Sequence, residues 1–296
     1  MDAMTSRQRM LAALRRQEVD YVPCCPFFTP SLAGPQYTWK GRADSLDLIV
    51  NHLGLDALVA VGIEASRHPD VTEHVWQETV AGERWPILHK RFDTPAGPLT
   101  AAIYVTDDLE PKDDIPLISD YNASRYVKPW LENMADVERF RYVHMPPTDA
   151  DIKVARERLS AQKRLADEYG VITYAGCGMG LTAGLLLFGP TPSVMLSMDQ
   201  PEVIERFLEI EHQTTMRRAE VLADLGVDVI CRNGFYETTD FWNPRQLERW
   251  LHKYLLEEIE VMRSRGAVVT YTVETGLMPM LDMLAALPFD GYHGIE

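Results

Sequence analysis

The sequence predicts an α/β fold in which helices cover a parallel β-sheet. Six short apolar segments alternate with segments of helical periodicity, and apolar strands of this kind are typical of parallel sheets, whose two faces are both covered. The 296 residues fit one (β/α)8 barrel of about 250 residues with an insertion, although length alone also allows two domains. We therefore expect a single domain, residues 1–296, that contains six of the eight strands of a barrel.

The first elements form a helix and then a strand–helix–strand unit. Thr5 and Gln8 have the spacing of a capping box, which places a helix start at this point. Strands are expected at residues 21–26 and 56–61, with a helix at 44–53 between them. A helix between two strands indicates a parallel pair.

Residues 71–147 predict an insertion within the barrel. Three short strands, near 75–80, 86–92 and 99–105, are separated by Gly/Pro turns and are typical of an antiparallel sheet. Residues 106–147 are rich in Pro and Asp and predict a long capping loop with one helical piece near 134–140. The insertion either covers the site or forms a contact between copies in a homodimer.

Strands and helices alternate regularly in the second half. Helices are expected at 149–169, 181–187, 192–198, 201–225, 244–265 and 278–286. Strands are expected at 171–175, 227–231, 267–272 and 290–295.

Composition excludes several classes of function. The chain has 44 acidic and 29 basic residues, a net charge of −15, and no basic tract. Nucleic acid is therefore not an expected partner, because its phosphates are bound mainly through Lys and Arg. No apolar stretch approaches the roughly 20 residues that cross a bilayer. With four cysteines and no apolar leader, we expect a soluble cytoplasmic protein without a disulfide framework or a membrane partner.

Several segments keep the order of motifs in a known family. They are Arg7-x-Arg-Met-Leu-Ala-Ala-Leu-Arg-Arg-Gln-Glu-Val-Asp-Tyr-Val-Pro23, the Gly-rich segment after Tyr174, Val227-Asp-Val-Ile230, Asn243-Pro-Arg-Gln-Leu247, Arg263-Ser-Arg-Gly-Ala-Val-Val269 and Phe289-Asp-Gly-Tyr-His-Gly-Ile-Glu296. Over essentially its whole length the chain resembles the uroporphyrinogen decarboxylase-like superfamily. The resemblance implies a (β/α)8 TIM barrel with its active site at the carboxyl ends of the strands. Members continue beyond the last of these segments, which implies that two β/α units are absent from this sequence.

The resemblance is nearer to the corrinoid-dependent methyltransferase branch, which includes O-demethylases, than to the decarboxylases. Decarboxylases hold substrate carboxylates with an Arg-containing loop after the first strand, whereas residues 26–33 of this chain contain no Arg. Methyltransferases of this branch bind zinc and move a methyl group between a small molecule and cobalamin (a corrinoid) on a partner protein.

The segment Thr272-Val-Glu-Thr-Gly276 refines this resemblance. Thiol-methylating members have a His-x-Cys-Gly motif here, and this chain has Thr272 for the His and Glu274 for the Cys. A carboxylate is also a competent zinc ligand. The resemblance therefore points to O-demethylases, in which zinc polarises the ether oxygen of a methoxylated aromatic compound while Co(I) attacks the methyl carbon.

The candidate metal and catalytic residues follow three consecutive strands. Glu274 is the candidate catalytic residue, and Glu237, Glu274 and His293 are the candidate zinc ligands, because neighbouring parallel strands end at one edge. Glu296 is a further candidate ligand. Structural alternatives remain open, namely a solvated carboxylate for Glu274, a helix cap for Glu237 and a barrel-wall histidine for His293.

Four further residues are assigned to substrate binding: Phe28, Tyr174, Asn233 and Tyr236. The three aromatic rings, at predicted strand ends, suit the apolar lining that an aromatic ether requires. Ordinary packing is the alternative for these aromatic rings. Cys177 lies within Gly176-x-Gly-x-Gly180, whose glycines indicate close approach of the backbone to a ligand or helix rather than a dinucleotide fingerprint. Cys231 is expected in the core.

Three functions remain open at this point. The preferred one is a zinc-dependent methyltransferase that moves a methyl group from a methoxylated or methylated small molecule to a corrinoid protein. The first alternative is a metal-free decarboxylase of the uroporphyrinogen type, which basic residues at the pocket would favour. The second is a catalytically inactive barrel that binds or scaffolds.

Overall fold

The computed structural model describes residues 3–26, 41–109 and 112–293. The fold is mixed α/β. Its α-helices are α1 (Ser6–Leu14), α2 (Arg42–Leu46), α3 (Asp120–Ala123), α4 (Met134–Phe140), α5 (Asp149–Tyr169), α6 (Gly180–Phe188), α7 (Pro190–Asp199), α8 (Pro201–Asp224), α9 (Pro244–Leu247), α10 (Lys253–Arg263) and α11 (Leu281–Ala286). The strands are β1 (Leu58–Val61), β2 (Thr72–Glu78), β3 (Ile87–Thr94), β4 (Gly97–Tyr104), β5 (Tyr126–Lys128), β6 (Ile172–Cys177), β7 (Val229–Asn233), β8 (Val268–Thr272) and β9 (Gly291–His293).

Three shorter helical segments complete the secondary structure of the described residues. Two are π-helical, Asp47–His52 after α2 and Glu248–His252 between α9 and α10. The third is a 3₁₀ turn, Met278–Met280, which leads into α11. The predicted helices at 44–53, 244–265 and 278–286 are therefore confirmed as helical but are not uniform α-helices.

Five strands form a parallel sheet in the order β1-β6-β7-β8-β9. Five of the six predicted strands are thus confirmed, and the prediction of a strand at residues 21–26 is wrong. Those residues are described but do not belong to a strand. Pro23 and Pro26 have no N–H to donate to a ladder. The backbone of Cys24 instead forms two hydrogen bonds with Asp56. The Cys24 carbonyl accepts from the Asp56 N–H at 2.8 Å, and the Cys24 N–H donates to Asp56 Oδ2 at 2.9 Å.

The parallel sheet has two faces, because successive side chains of a strand point to opposite sides. The register shows which residues share a face, since paired residues of neighbouring strands point to the same side. The inner face consists of Leu58, Ala60, Ile172, Tyr174, Gly176, Val229, Cys231, Asn233, Val268, Thr270 and Thr272. The helix face consists of Val59, Val61, Thr173, Ala175, Cys177, Ile230, Arg232, Val269 and Tyr271. Apolar residues of the helix face pack into the main core, whereas Met10, Leu11 and Leu14 of α1 pack against the inner face.

The predicted antiparallel insertion is confirmed as a four-stranded sheet in the order β2-β3-β4-β5. A tight hairpin joins β3 to β4, and Gly97 adopts the φ of +103° that this turn requires. Phe92 and Leu99, paired on these two strands, are fully buried. The segment predicted as a capping loop contains α4 with the expected bounds, together with β5 and α3, which the sequence did not predict.

The helices α1 and α5 begin at capping boxes. The capping box of Thr5 and Gln8 is present at α1, and Thr148 forms another with Asp151 at α5. Gly170 ends α5 in the left-handed conformation, with φ +61°. Among the described residues no single helix is long and apolar enough to cross a membrane. The helices α6 and α7 meet that criterion only when taken together, and they are bent by 109°.

Candidate functional site

The candidate site is the edge at which the inner face reaches the carboxyl ends of its strands. Asn233 is the last residue of β7 and pairs with Thr272, the last residue of β8. Thr272 in turn pairs with His293 at the end of β9. Glu274 follows two residues beyond Thr272 and is half-buried, and its N–H donates to the carbonyl of Phe235 at 3.3 Å. The structure therefore brings Asn233, Glu274 and the backbone of His293 to one edge, which we call the rim.

Tyr236 joins Glu274 at the rim and connects it to the insertion. Burial raises the pKa of Tyr236 to about 12, and the Asp120 carboxylate, its hydrogen-bond partner, and the charge of Glu274 act in the same direction. Asp120 begins α3, which packs against α6. A helix of the insertion thus reaches this side of the rim. The sequence did not single out Asp120; only the capping residue Ser119 before it signals α3.

Below the rim the inner face carries uncharged polar groups. The Cys231 thiol lies 3.1 Å from the Thr272 hydroxyl. Burial raises the pKa of Tyr174, and hydrogen bonding to Cys231 adds to this effect. Cys231 is a fully buried core residue, as expected, and its thiol adjoins these polar groups. Tyr174, Cys231 and Asn233 therefore line the inner face beneath Glu274.

Glu237 lies with residues of the helix face. Its carboxylate is fully buried, and Oε1 accepts from the Leu181 N–H at 2.9 Å and lies 3.1 Å from Arg232 Nη2. Oε2 accepts from the Tyr271 hydroxyl at 2.5 Å. Burial raises the pKa of both Glu237 and Tyr271. Glu237 is therefore part of a buried network behind the sheet, whereas Asn233 is on the inner face.

This network, the Arg232 cluster, consists of Glu211, His212, Arg232, Glu237, Glu258 and Tyr271. Arg232 Nε lies 2.6 Å from Glu258, and its Nη1 donates to the carbonyl of Asn233 at 2.8 Å. Glu258 also lies 2.9 Å from His212 Nδ1. The cluster thus ties β7 to α6, α8 and α10 directly behind the rim. The one sequence signal for the Arg232 cluster is the position of Arg232 at the end of an apolar strand.

Glycines let the Arg232 cluster approach the backbone of the β6–α6 turn. A Cβ on Gly180 would lie 2.3 Å from both Arg232 Nη2 and Glu237 Oε1. A Cβ on Gly176 would lie 2.7 Å from the Asn233 amide nitrogen. The prediction of a close backbone approach at Gly176-x-Gly-x-Gly180 is confirmed, but the predicted approach of a ligand or a helix is not what these two glycines show. The approaching groups are side chains of this chain.

His212 makes the stability of the cluster dependent on pH. Burial lowers its pKa, but hydrogen bonds and charge interactions with Glu258 and Glu257 outweigh this effect, and the pKa is raised. A raised folded-state pKa stabilises the protein below the unfolded value of about 6.5, and that stabilisation disappears as pH rises through the folded value. His212→Gln should therefore lower the free energy of unfolding by about 1–2 kcal/mol near pH 6 and by less at pH 9. Urea unfolding across this range measures the difference.

The matched control is His52→Gln, whose imidazole is exposed and lies 3.3 Å from Asp47. Its effect on unfolding should be small at every pH. An effect of His212→Gln that grows as pH rises would contradict the assignment.

The described residues do not by themselves assemble a zinc site. No group of three His, Cys, Asp or Glu side chains among them is placed to hold a metal ion. Glu237 does not fit the role, because its oxygens are already bound and the Arg232 cation lies 3.1 Å away. Glu274 fits as a half-buried rim carboxylate. Phe28, Glu296 and the His293 side chain lie outside the described residues, so their predicted roles remain predictions.

Comparisons with known proteins give matches by structure but none by sequence. No family model matches the sequence, and no curated protein matches it. Twenty chains of solved structures match the fold. One of these similar structures is a methyltransferase from Methanosarcina mazei, with 18% sequence identity, 98% of this chain and 75% of that chain covered, and a TM-score of 0.46.

Proposed function

We propose that this chain is a methyltransferase that takes a methyl group from a methoxylated aromatic or other methylated small molecule and passes it to a corrinoid protein. The proposal combines the family resemblance with one structural observation. Glu274 lies at the carboxyl-terminal rim of a parallel sheet, beside Tyr236 and above an uncharged polar face. Catalytic groups gather at this end of parallel β/α folds.

The strand order supports a barrel as the underlying architecture. The five parallel strands are neighbours in the same order as in the sequence. Doubly wound sheets instead reverse their strand order at a switch point, whereas barrels do not. We therefore infer a (β/α)8 barrel of the uroporphyrinogen decarboxylase type, of which the described strands form five.

The inner face favours a neutral substrate over one with many carboxylates. Its described side chains include neither Lys nor Arg. Arg232, the basic residue nearest in sequence to the rim, lies on the helix face and is paired with two carboxylates. Tyr174 and Tyr236 offer rings and hydroxyls suited to an aromatic ether. These features disfavour a uroporphyrinogen-type decarboxylase.

Each rim residue has a distinct role in this proposal. Zinc held by Glu274 would supply a Lewis acid. Asn233 offers an amide donor on the inner face, and Tyr236 offers a hydroxyl whose raised pKa, about 12, extends its protonated form to higher pH than that of an ordinary tyrosine. We propose that these two groups orient the substrate so that its methyl group faces the corrinoid partner.

Metal content separates the roles of the two predicted carboxylate ligands. We expect about one zinc per chain in the native protein. Glu274→Gln should reduce the zinc content at least tenfold, whereas Glu237→Gln should leave it nearly unchanged, because that carboxylate is bound to Arg232 and Tyr271. Elemental analysis of folded, untagged protein makes the comparison. Full zinc content in Glu274→Gln, or equal loss in both variants, would contradict the assignment.

Activity is then measured with free cobalamin reduced to Co(I) as the methyl acceptor and methoxylated benzoates or phenols as donors. The visible spectrum should change as methyl-Co(III) forms, and Glu274→Gln should slow this change at least about 100-fold. Release of CO2 from uroporphyrinogen, without methyl transfer, would overturn the proposed function in favour of the decarboxylase.

A further inference from the structure

The four-stranded sheet has two edge strands that differ in their protection. β5 has three residues, and its pairing with β4 is interrupted by a register shift at Ala102 and Ile103. β2 has seven residues and pairs with β3 without a shift. All seven side chains of β2 are exposed. Proteins usually block an edge by shortness, bulges, Pro or charged side chains, above all Lys. Of these features β2 has only the carboxylates of Glu73 and Glu78.

We propose that two copies of this chain pair through β2, antiparallel about a two-fold axis at Val75. The two four-stranded sheets then form one continuous sheet of eight strands. A two-fold interface requires that the same patch be complementary to itself. The sequence of β2 meets this requirement.

The axis at Val75 is favoured because Val75 is the middle residue of Thr72–Glu78 and this register alone pairs the full strand. Val75 then faces its own copy, and Glu73 faces Gln77. His74 faces Trp76, and Thr72 faces Glu78. No two like charges stand opposite each other, whereas opposed like charges are destabilising.

The charged groups near β2 allow two copies to approach each other, although each chain has a net charge of −15. Glu73 forms an ion pair with Arg67 at 2.6 Å, and Lys90 lies 3.7 Å from the same oxygen. Glu78 lies 3.3 Å from His89. Glu73 therefore has two cationic neighbours within its own chain, and Glu78 has an imidazole neighbour. More distant charges are screened beyond about 8 Å at physiological salt.

Trp76 supplies the apolar anchor of the proposed contact. It is 44% exposed, and Val75 is 38% exposed. The Trp76 ring stacks on His89, with centroids 5.0 Å apart and planes 4° apart, so its position is already fixed. Pairing places His74 of the second copy directly opposite this ring. Aromatic pairs across strands stabilise antiparallel sheets, and rigid aromatic anchors dominate interfaces.

A cysteine at the axis tests the register. Opposite residues of antiparallel strands have Cα atoms about 4.5–5.5 Å apart, within the range of a disulfide. In a Cys24→Ser, Cys25→Ser background, Val75→Cys should form a disulfide-linked dimer under mild oxidation. Thr72→Cys should not, because its copy lies about 20 Å away along the paired strands. Equal cross-linking of both variants would overturn the proposed register.

The oligomeric state tests the interface itself without oxidation. Sedimentation should show a concentration-dependent dimer of the native chain. Val75→Lys, which opposes two charges at the axis, should raise the dissociation constant at least tenfold. Val127→Lys is the matched control, since Val127 is 45% exposed on β5 at the other edge of the same sheet. A native chain that stays monomeric at every concentration, or equal effects of the two substitutions, would overturn the proposal. Neither experiment depends on the proposed methyltransferase activity.

Discussion

Arg232→Met is expected to lower the free energy of unfolding by about 3–5 kcal/mol, because removing one partner of a buried ion pair leaves the other charge uncompensated. Arg232 is 1% exposed and contacts Glu237 at 3.1 Å and Glu258 at 2.6 Å. Methionine retains much of the apolar volume of the arginine side chain. The loss in free energy of unfolding therefore measures the cost of leaving the two buried carboxylates without their cation.

Urea unfolding of the variant and the native protein measures this loss. Arg217→Met is the control, since Arg217 forms an exposed pair with Glu220 at 3.0 Å and should contribute less than about 1 kcal/mol. Arg232→Lys keeps the charge but cannot reproduce the contacts of the guanidinium, so it should fall between the native protein and Arg232→Met. Equal small losses in Arg232→Met and Arg217→Met would contradict the structural role of the cluster.

Gly180→Ala is expected to destabilise the protein by about 2–5 kcal/mol. Gly180 has φ +44°, and a left-handed conformation costs a non-glycine residue about 1–2 kcal/mol. The new Cβ would also lie 2.3 Å from Arg232 Nη2 and Glu237 Oε1, and overpacking typically costs about 1–3 kcal/mol. The two buried partners are held by their own ion pair and have little freedom to move away.

Gly54→Ala separates these two contributions. Gly54 has φ +64° and no atom within 4 Å of its Cβ position, so only the backbone cost of about 1–2 kcal/mol applies. The difference between the two variants in thermal or urea unfolding gives the packing contribution at Gly180. Equal losses in both variants would show that the overlap is relieved without cost.

Elements with strong local signals could be predicted from the sequence. The bounds of α5 follow from its capping box at Thr148 and from Gly170 beyond its last turn. The segment at residues 21–26 has apolar residues bounded by prolines, but strand formation depends on a partner with free hydrogen-bonding groups, which local sequence does not reveal. The short elements α3 and β5 also depend on tertiary contacts and were missed for the same reason.

The rim was predictable only in part. Glu274 and Asn233 lie where consecutive parallel strands end, as the pattern indicated. The position of Glu237 depends on the turn after β7, in which its N–H donates to the carbonyl of Gly234 at 2.8 Å. Its carboxylate bonds to Arg232 and Tyr271 of the helix face, which adjacency of strand ends does not specify. Asp120 lies 116 residues before Tyr236 (236 − 120), and no local pattern links them.

The placement of the antiparallel sheet between β1 and β6 has a consequence for the order of folding. Leu58 pairs with Ile172, a separation of 114 residues (172 − 58), whereas Val229 pairs with Val268, a separation of 39 (268 − 229). Loop-closure entropy makes the longer closure costlier by about 1 kcal/mol. The consecutive hairpin strands β2, β3 and β4 fold from local contacts and shorten the flexible chain between β1 and β6. The parallel sheet is therefore expected to acquire β1 last, after the insertion has formed.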